Sequence, residues 1–244
     1  MRFDTHRVSA YLVEALQAAR PALEVIDHGG DIIHVRARSG DLFALYFIEN
    51  PITVYEIRGI LEANTAAGVY SLFILWGELF MPVDGSHFRP DNHDWMTALL
   101  AVHQDKIYAF DPYASGDYIF PVYFDRLSGR AERAIRYGRA FNAARLHPQL
   151  VETRAAGIAG RWRMASFENQ RGAPLHLHPD LAGHYARLGL NPRLPLTREI
   201  VKRAYRRRAR QLHPDVNAAH DATEQMQMLN HAYQRLLELT DDAR

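Results

Sequence analysis

The 244-residue chain carries 29 basic and 28 acidic side chains, is 48% apolar and 11% aromatic, and contains no cysteine. A chain of that length accommodates one large domain or two ordinary ones, with enough apolar residues for a substantial core. The near-neutral balance gives no global pull towards nucleic acid or a membrane surface, and the missing cysteines exclude disulfides, thiolate metal sites and a thiol nucleophile.

The opening residues, Met1-Arg2-Phe3-Asp4-Thr5-His6-Arg7, hold no apolar signal core, and the most apolar run, Val69 to Trp76, is too short to span a bilayer. The expectation is a soluble cytoplasmic protein. Ser9 to Ala19 places Tyr11, Leu12, Ala15, Leu16 and Ala19 at helical spacing, and Pro21 ends that helix. Leu23 to Ile26 reads as a strand followed by the turn Asp27-His28-Gly29-Gly30. Asp31 to Arg36 and Leu42 to Ile48 read as strands joined at Arg38-Ser39-Gly40-Asp41. A helix over about Thr53 to Ala66 and a buried strand over Val69 to Trp76 complete an α/β region at 1–80. Residues 81–146 read as a β-rich extension packed with it. Asn92 to His103 forms a short helix running into a strand, and Ile107 to Phe110, Tyr118 to Phe124 and Ala134 to Tyr137 form a meander with turns at Asp105, Gly116-Asp117 and Ser128-Gly129. The pattern weakens over 147–178, which reads as an extended linker or irregular connection.

Residues 179–244 are the most legible. Asp180 caps a short helix ending at Gly189, and Thr197 caps a second helix that has Glu199 in its first turn and runs to Leu212. Pro214 breaks it, and a final helix spans about Ala222 to Leu239. On the second helix Ile200, Val201, Ala204, Tyr205, Ala209 and Leu212 form an apolar stripe, matched on the last by Met226, Leu229, Ala232, Tyr233 and Leu236, so the two pack as an antiparallel pair. The opposite face of the second helix carries Lys202, Arg203, Arg206, Arg207 and Arg210, offset only by Glu199. Basic runs are ordinarily solvated faces; one this concentrated also steers an acidic partner, with strong salt dependence.

Four stretches carry a resemblance here: Tyr185-Ala186-Arg187-Leu188-Gly189-Leu190; Ile200 with Lys202-Arg203-Ala204-Tyr205-Arg206; His213-Pro214-Asp215; and Leu229-Asn230-His231-Ala232-Tyr233 with Leu236. In order and spacing they resemble the J domain of DnaJ-type co-chaperones. The resemblance implies an all-α domain with an antiparallel helical hairpin and a core that includes Tyr185, Leu188, Tyr205, Leu229, Tyr233 and Leu236. It implies a DnaK-type chaperone as partner, whose ATP hydrolysis is stimulated, and no catalytic group or cofactor of its own. Lys202, Arg203, Arg206, Arg207 and Arg210 would steer and dock. His213, Pro214 and Asp215 would form the coupling element, with Pro214 fixing the turn and Asp215 presenting a charge to the partner. Two residues depart from the family pattern: Arg208 stands where a leucine is usual, and Leu212 replaces the usual aromatic. A second tripeptide, His178-Pro179-Asp180, has no basic helix before it and reads as a helix cap.

The order helix, three strands, helix, strand over about Thr5 to Phe80 resembles the Mrr-like branch of restriction-endonuclease-like folds. An active member needs an acid followed by Glu or Gln, any residue and Lys on the next strand, to hold a metal and stabilise phosphate charge. Asp31 fits the first position, but if Glu49 is the second acid then Pro51 stands where the lysine should be. The expectation is an inactive nuclease-like region.

Asp84, His87, Asp91, His93 and Asp94 match no metal-ligand spacing and are expected to bind none. Tyr108, Phe110, Tyr113, Tyr118, Phe120, Tyr123 and Phe124 alternate as strand-core residues do, and Arg126, Arg130, Arg133, Arg136 and Arg139 are diluted by Asp125 and Glu132. The sequence thus points to an α+β, multi-domain co-chaperone that is not itself an enzyme. Its N-terminal region would serve an unidentified client or localisation, without a membrane. The alternative is a nucleic-acid-binding or processing protein with an accessory J domain.

Overall fold

The computed structural model describes residues 5–18, 23–79, 87–90, 94–111, 118–128, 132–138, 146–167, 179–192, 196–212 and 221–241. The chain opens with helix α1 (Thr5–Ala18), then strands β1 (Leu23–Gly29), β2 (Ile32–Ala37) and β3 (Leu42–Ile48). Helix α2 (Val54–Ala66) crosses over to β4 (Val69–Trp76), which a short 3-10 turn (Gly77–Leu79) follows. Next come β5 (His87–Phe88), helix α3 (Asp94–Val102), β6 (Lys106–Asp111), β7 (Tyr118–Arg126), β8 (Arg133–Tyr137), β9 (Leu146–Thr153) and β10 (Gly160–Phe167). Helices α4 (Pro179–Leu188), α5 (Arg198–Leu212) and α6 (Ala222–Asp241) follow. Among the described residues no helix is long and apolar enough to cross a membrane.

Local chemistry sets several of these boundaries. Thr53 and Glu56 form a reciprocal capping box that starts α2, with the Glu56 carboxylate accepting from the Thr53 backbone N–H at 2.7 Å. That backbone bond first, and then the Thr53 hydroxyl donating to the same carboxylate at 2.8 Å, hold the Glu56 carboxyl below its ordinary pKa. Strand β1 runs past the expected turn to Gly29 by taking a bulge between Val25 and Asp27. The reversal to β2 then falls at Gly30, whose φ is +59°.

β1, β2 and β3 pair antiparallel, and β4 lies parallel to β3 from Leu42 opposite Val69 to Ile48 opposite Leu75. Buried on both faces, β4 is almost continuously apolar, as parallel strands are. One layer packs Leu12, Val13 and Leu16 of α1 over Ile33, Phe43, Leu45, Leu72 and Ile74. The other packs Ile57 and Leu61 of α2 and Met96, Leu99 and Leu100 of α3 over Phe73, Leu75, Ile107, Phe120 and Val122. The apolar cores therefore lie on both faces of the sheet.

Residues 147–178, expected to be an extended linker, are in part sheet. β9 and β10 pair antiparallel throughout, from Thr153 opposite Gly160 to Leu146 opposite Phe167. β10 then joins β4 in parallel at Met164 and Ser71. Arg161 and Arg163 do alternate with Trp162 and Met164 at strand period, but the run is short, opens on Gly160 and follows a β9 that contains Pro148, so its surroundings read as loop. The short helix expected to run into a strand instead ends at Val102, and a sharp turn separates it from β6.

β4 consequently has two neighbours along one edge. β10 takes it at Ser71, and β6 takes it from Ile74 to Trp76. At the fork between them backbone groups need other partners. The Phe73 N–H donates to Nε2 of His103 at 3.4 Å. The Tyr108 hydroxyl accepts from the Phe167 N–H at 3.0 Å and lies 3.0 Å from both the Phe167 carbonyl and Ser166 Oγ. Lys106 Nζ donates to Ser166 Oγ at 2.8 Å.

His103 is buried, and desolvation, with Lys106 adding repulsion, pushes its pKa down from 6.5 to about 3. Unfolding releases that constraint. Its stabilising neutral state is therefore fully present above pH 6.5 and lost as pH falls towards 3. The stability advantage of wild type over His103→Gln, measured by urea unfolding, should shrink by roughly 2–3 kcal/mol between about pH 7 and pH 4.5. A pH-independent difference would show that His103 is not held neutral.

Candidate functional site

α4, α5 and α6 close around their own core of Tyr185, Leu188, Leu190, Ile200, Val201, Ala204, Leu212, Leu229, Ala232 and Leu236. Of the expected core residues, Tyr185, Leu188, Leu229 and Leu236 are buried. Tyr205 and Tyr233 are half-buried and stack with ring centroids 4.3 Å apart, and the Tyr205 hydroxyl donates to Asn230 Oδ1 at 2.8 Å. Those contacts join α5 to α6 at the point where the apolar stripes meet. Burial raises the pKa of the Tyr185 phenol.

α4 begins at Pro179, so Asp180 stands within its first turn rather than before it, and proline fits that opening position because its missing N–H would have no helical partner. His178 lies outside the described residues. The helix ends in a Schellman turn: the Leu190 N–H reaches the Tyr185 carbonyl and the Gly189 N–H the Ala186 carbonyl, both at 2.9 Å. Gly189 has φ +65°, the left-handed conformation this turn requires. α5 starts at its Thr197 cap, whose hydroxyl accepts from the Ile200 N–H at 3.3 Å.

The charged side of α5 divides into two sets. Arg203, Arg206 and Arg210 are exposed and Lys202 is half-buried, with Glu199 lying 3.9 Å from Arg203 one turn away. That arrangement concentrates positive charge on one helical face. Arg207 is half-buried instead, and its Nη2 donates to the Leu188 carbonyl at 3.1 Å, a carbonyl that the end of α4 leaves open. Arg208 is 3% exposed, so it neither snorkels to solvent nor joins the outer face. It donates to Gln211 Oε1 at 3.3 Å and converges with Arg207 over Gly189. Two cations thus meet the negative end of the α4 dipole. His213, Pro214 and Asp215 follow α5 directly in sequence and lie outside the described residues.

The three-helix unit, with its antiparallel hairpin and basic outer face, is a J domain. Residues 183–242 match the family described as the DnaJ domain. The chain is 45% identical over 53 residues to the chaperone protein DnaJ of Leifsonia xyli subsp. xyli, covering 22% of this chain and 14% of that one. It is 52% identical over 50 residues to the chaperone protein DnaJ 2 of Thermus thermophilus, covering 20% and 17% respectively. The match thus spans less than a fifth of either relative. No solved structure matches the chain significantly.

The other candidate sites look different once placed. Tyr108, Phe110, Phe120 and Phe124 are core, and Tyr123 lies under the Arg136 guanidinium at 4.4 Å; Tyr113 is outside the described residues and Tyr118 is on β7. Arg126 and Arg133 share Asp105, and Arg136 pairs with Asp125; Arg130 and Arg139 fall outside the described residues. The Asp125 carboxylate raises the Arg136 pKa further. His87 is on β5 and Asp94 opens α3, whereas Asp84, Asp91 and His93 are outside the described residues. Among the described residues no three His, Asp or Glu gather as a metal site. Composition could not have singled out the fork residues His103, Lys106, Tyr108 and Ser166, because only the branching of β4 brings them together.

Gly189 supplies a direct test of the α4–α5 junction. An added Cβ would sit 3.0 Å from Arg208 Nη2 and 3.2 Å from Arg207 Nη2, on a backbone that disfavours side chains. Gly189→Ala should destabilise the domain by about 1–2 kcal/mol. Gly183→Ala, whose Cβ would meet nothing nearer than Arg187 Nη1 at 3.8 Å, should instead gain roughly 0.5–1 kcal/mol of helix propensity. Thermal unfolding of the two variants distinguishes them; equal effects would contradict this account of the junction.

Proposed function

We propose that the chain is a co-chaperone that docks on a DnaK-type chaperone and stimulates its ATP hydrolysis. The observation that carries the proposal is the exposed basic face of α5 inside a J domain, followed in sequence by His213-Pro214-Asp215. In this reading Lys202, Arg203, Arg206 and Arg210 attract an acidic surface of the partner. The tripeptide couples docking to the partner's phosphoryl chemistry, with Asp215 offering a carboxylate to a basic group. The chain then regulates another protein's reaction and is not itself an enzyme. A cytoplasmic location belongs to the same proposal and is supported by the cysteine-free sequence.

The N-terminal sheet is read as a restriction-endonuclease-like scaffold that has lost cleavage and serves a client or localisation. Support for the scaffold comes from the order α1, β1, β2, β3, α2, β4, with an antiparallel meander leading to a parallel crossover and helices packed on both faces. Support for the loss comes from Pro51 at the position that needs lysine. The nucleic-acid alternative draws less support, since Arg126, Arg133 and Arg136 are committed to Asp105 and Asp125.

Steady-state ATPase assays with a purified DnaK-type chaperone test the proposal. The full chain should stimulate hydrolysis, and His213→Gln should abolish stimulation while leaving the fold intact. Arg206→Ala and Arg210→Ala should each raise the half-saturating concentration about two- to fivefold and weaken its salt dependence. Absence of stimulation by the wild-type chain would overturn the proposal. Metal-dependent cleavage of duplex DNA that Asp31→Ala removes would overturn the reading of the sheet.

A further inference from the structure

Only two of the chain's 29 basic residues are lysines, Lys106 and Lys202; all the others are arginines. The two side chains differ chemically, because a guanidinium stays charged in any protein setting whereas an amine can release its proton on burial and become a nucleophile. Lys202 sits on the outer face of α5 among arginines. Lys106 sits at the sheet fork, hydrogen-bonded to Ser166.

The surroundings of Lys106 are those of an amine without a counter-ion. It opens β6 half-buried, donates to Ser166 Oγ at 2.8 Å and lies 4.9 Å from the centroid of the Tyr108 ring. Among the described residues it forms no ion pair; the neighbouring Asp105 carboxylate is taken by Arg126 and Arg133 at 3.0 and 2.7 Å. The turn that delivers it is strained, since Gln104 and Asp105 both hold φ +59° without being glycine. Asp105 is fixed in that turn by its N–H to the Leu100 carbonyl and by its own carbonyl to the Phe124 N–H, each at 2.8 Å. Desolvation lowers the Lys106 pKa from 10.5 to about 8, so roughly a tenth of the amine is neutral at pH 7. A neutral amine keeps two N–H donors, enough to hold Ser166 and still present a lone pair.

We propose that Lys106 is a nucleophilic amine and a site of acylation by activated acyl donors, thioesters or acyl phosphates. Neutral Nζ attacks the acyl carbonyl carbon and an N–C bond forms. The bond from that carbon to sulfur or phosphate oxygen breaks, and the amine proton departs to solvent with the leaving thiolate or phosphate. No oxidation or reduction accompanies the step. The product amide has lost its charge at the fork and keeps a single N–H for Ser166. Ser166 and Phe167 end β10, the last described strand before α4, so the modification acts at the end of that strand.

The full chain carries its own reference residue. Trace acetic anhydride labelling between pH 6 and 11, read at each lysine by peptide mass spectrometry, should acylate Lys106 about tenfold faster than Lys202 at pH 7.5. The Lys106 rate should be half-maximal near pH 8, and the two lysines should label alike in denaturant. Labelling of Lys106 no faster than Lys202 in the folded chain, or a profile that rises only above pH 10, would overturn the proposal. Enhancement that persists in denaturant would overturn it as well, because the fork would not be its cause.

Discussion

A strand has two edges, and β4 is asked to serve three neighbours. β3 occupies one edge along nearly its whole length, while β10 and β6 divide the other. Where they part, peptide groups buried in the sheet have no strand opposite them, and an unpaired buried peptide group costs as much as a lost hydrogen bond. The fork exists only because side chains stand in for backbone. His103 accepts the Phe73 N–H, and Tyr108 grips the backbone of Phe167. Each substitution imposes a chemical state. His103 can accept through Nε2 only while that nitrogen is unprotonated, which its burial enforces. The left-handed pair Gln104 and Asp105 follows from the same demand, since β6 must start close enough to the end of α3 for Lys106 and Tyr108 to reach Ser166.

In the J domain the corresponding constraint is the carbonyl end of α4. The Schellman turn satisfies the carbonyls of Tyr185 and Ala186, and Arg207 reaches across from α5 to that of Leu188. Gly189 makes the turn possible and also leaves room for two guanidiniums above it. A buried Arg208 in place of the family's leucine therefore belongs to a polar junction between α4 and α5, which lies beside the apolar seam that joins α5 to α6. Charged groups at such a junction fix helix ends more sharply than apolar contacts do, because the direction of a hydrogen bond is specified and that of an apolar contact is not.

How much of this was legible in the sequence depended on the range of the interactions. The strand Val69 to Trp76 and the helix ending at Leu212 were placed correctly because continuous apolar runs, caps and a proline act locally. The capping pair at Thr53 and Glu56 is likewise a short-range signal. The hairpin of β9 and β10 is local, but Pro148 and the glycines around it mask its strands, and its place beside β4 was out of reach because that pairing spans about ninety residues and rests on a single parallel contact, Met164 with Ser71. The J-domain core was readable from periodicity, yet the split of the basic residues was not. Helical spacing puts Arg207 and Arg206 on neighbouring faces; only the position of α4 turns Arg207 towards a carbonyl. Arg208 looked anomalous as a residue in a stripe and becomes intelligible as a neighbour of Gly189.

Charge follows the same division. Taken together the chain is nearly neutral, at +1, but the two halves reach that balance differently. On and around the sheet, arginines pair with acids: Arg126 and Arg133 with Asp105 in the turn before β6, Arg136 with Asp125 across strands, Arg89 with Glu132. Such pairs cancel within a few ångströms and send little field into solvent. On α5, Arg206 and Arg210 have no ion pair among the described residues, and Glu199 stands nearly 4 Å from Arg203. At physiological salt a charge is felt over about 8 Å, so this helix, and not the whole molecule, sets what an approaching acidic surface encounters. A nearly neutral protein can in this way present one strongly positive face.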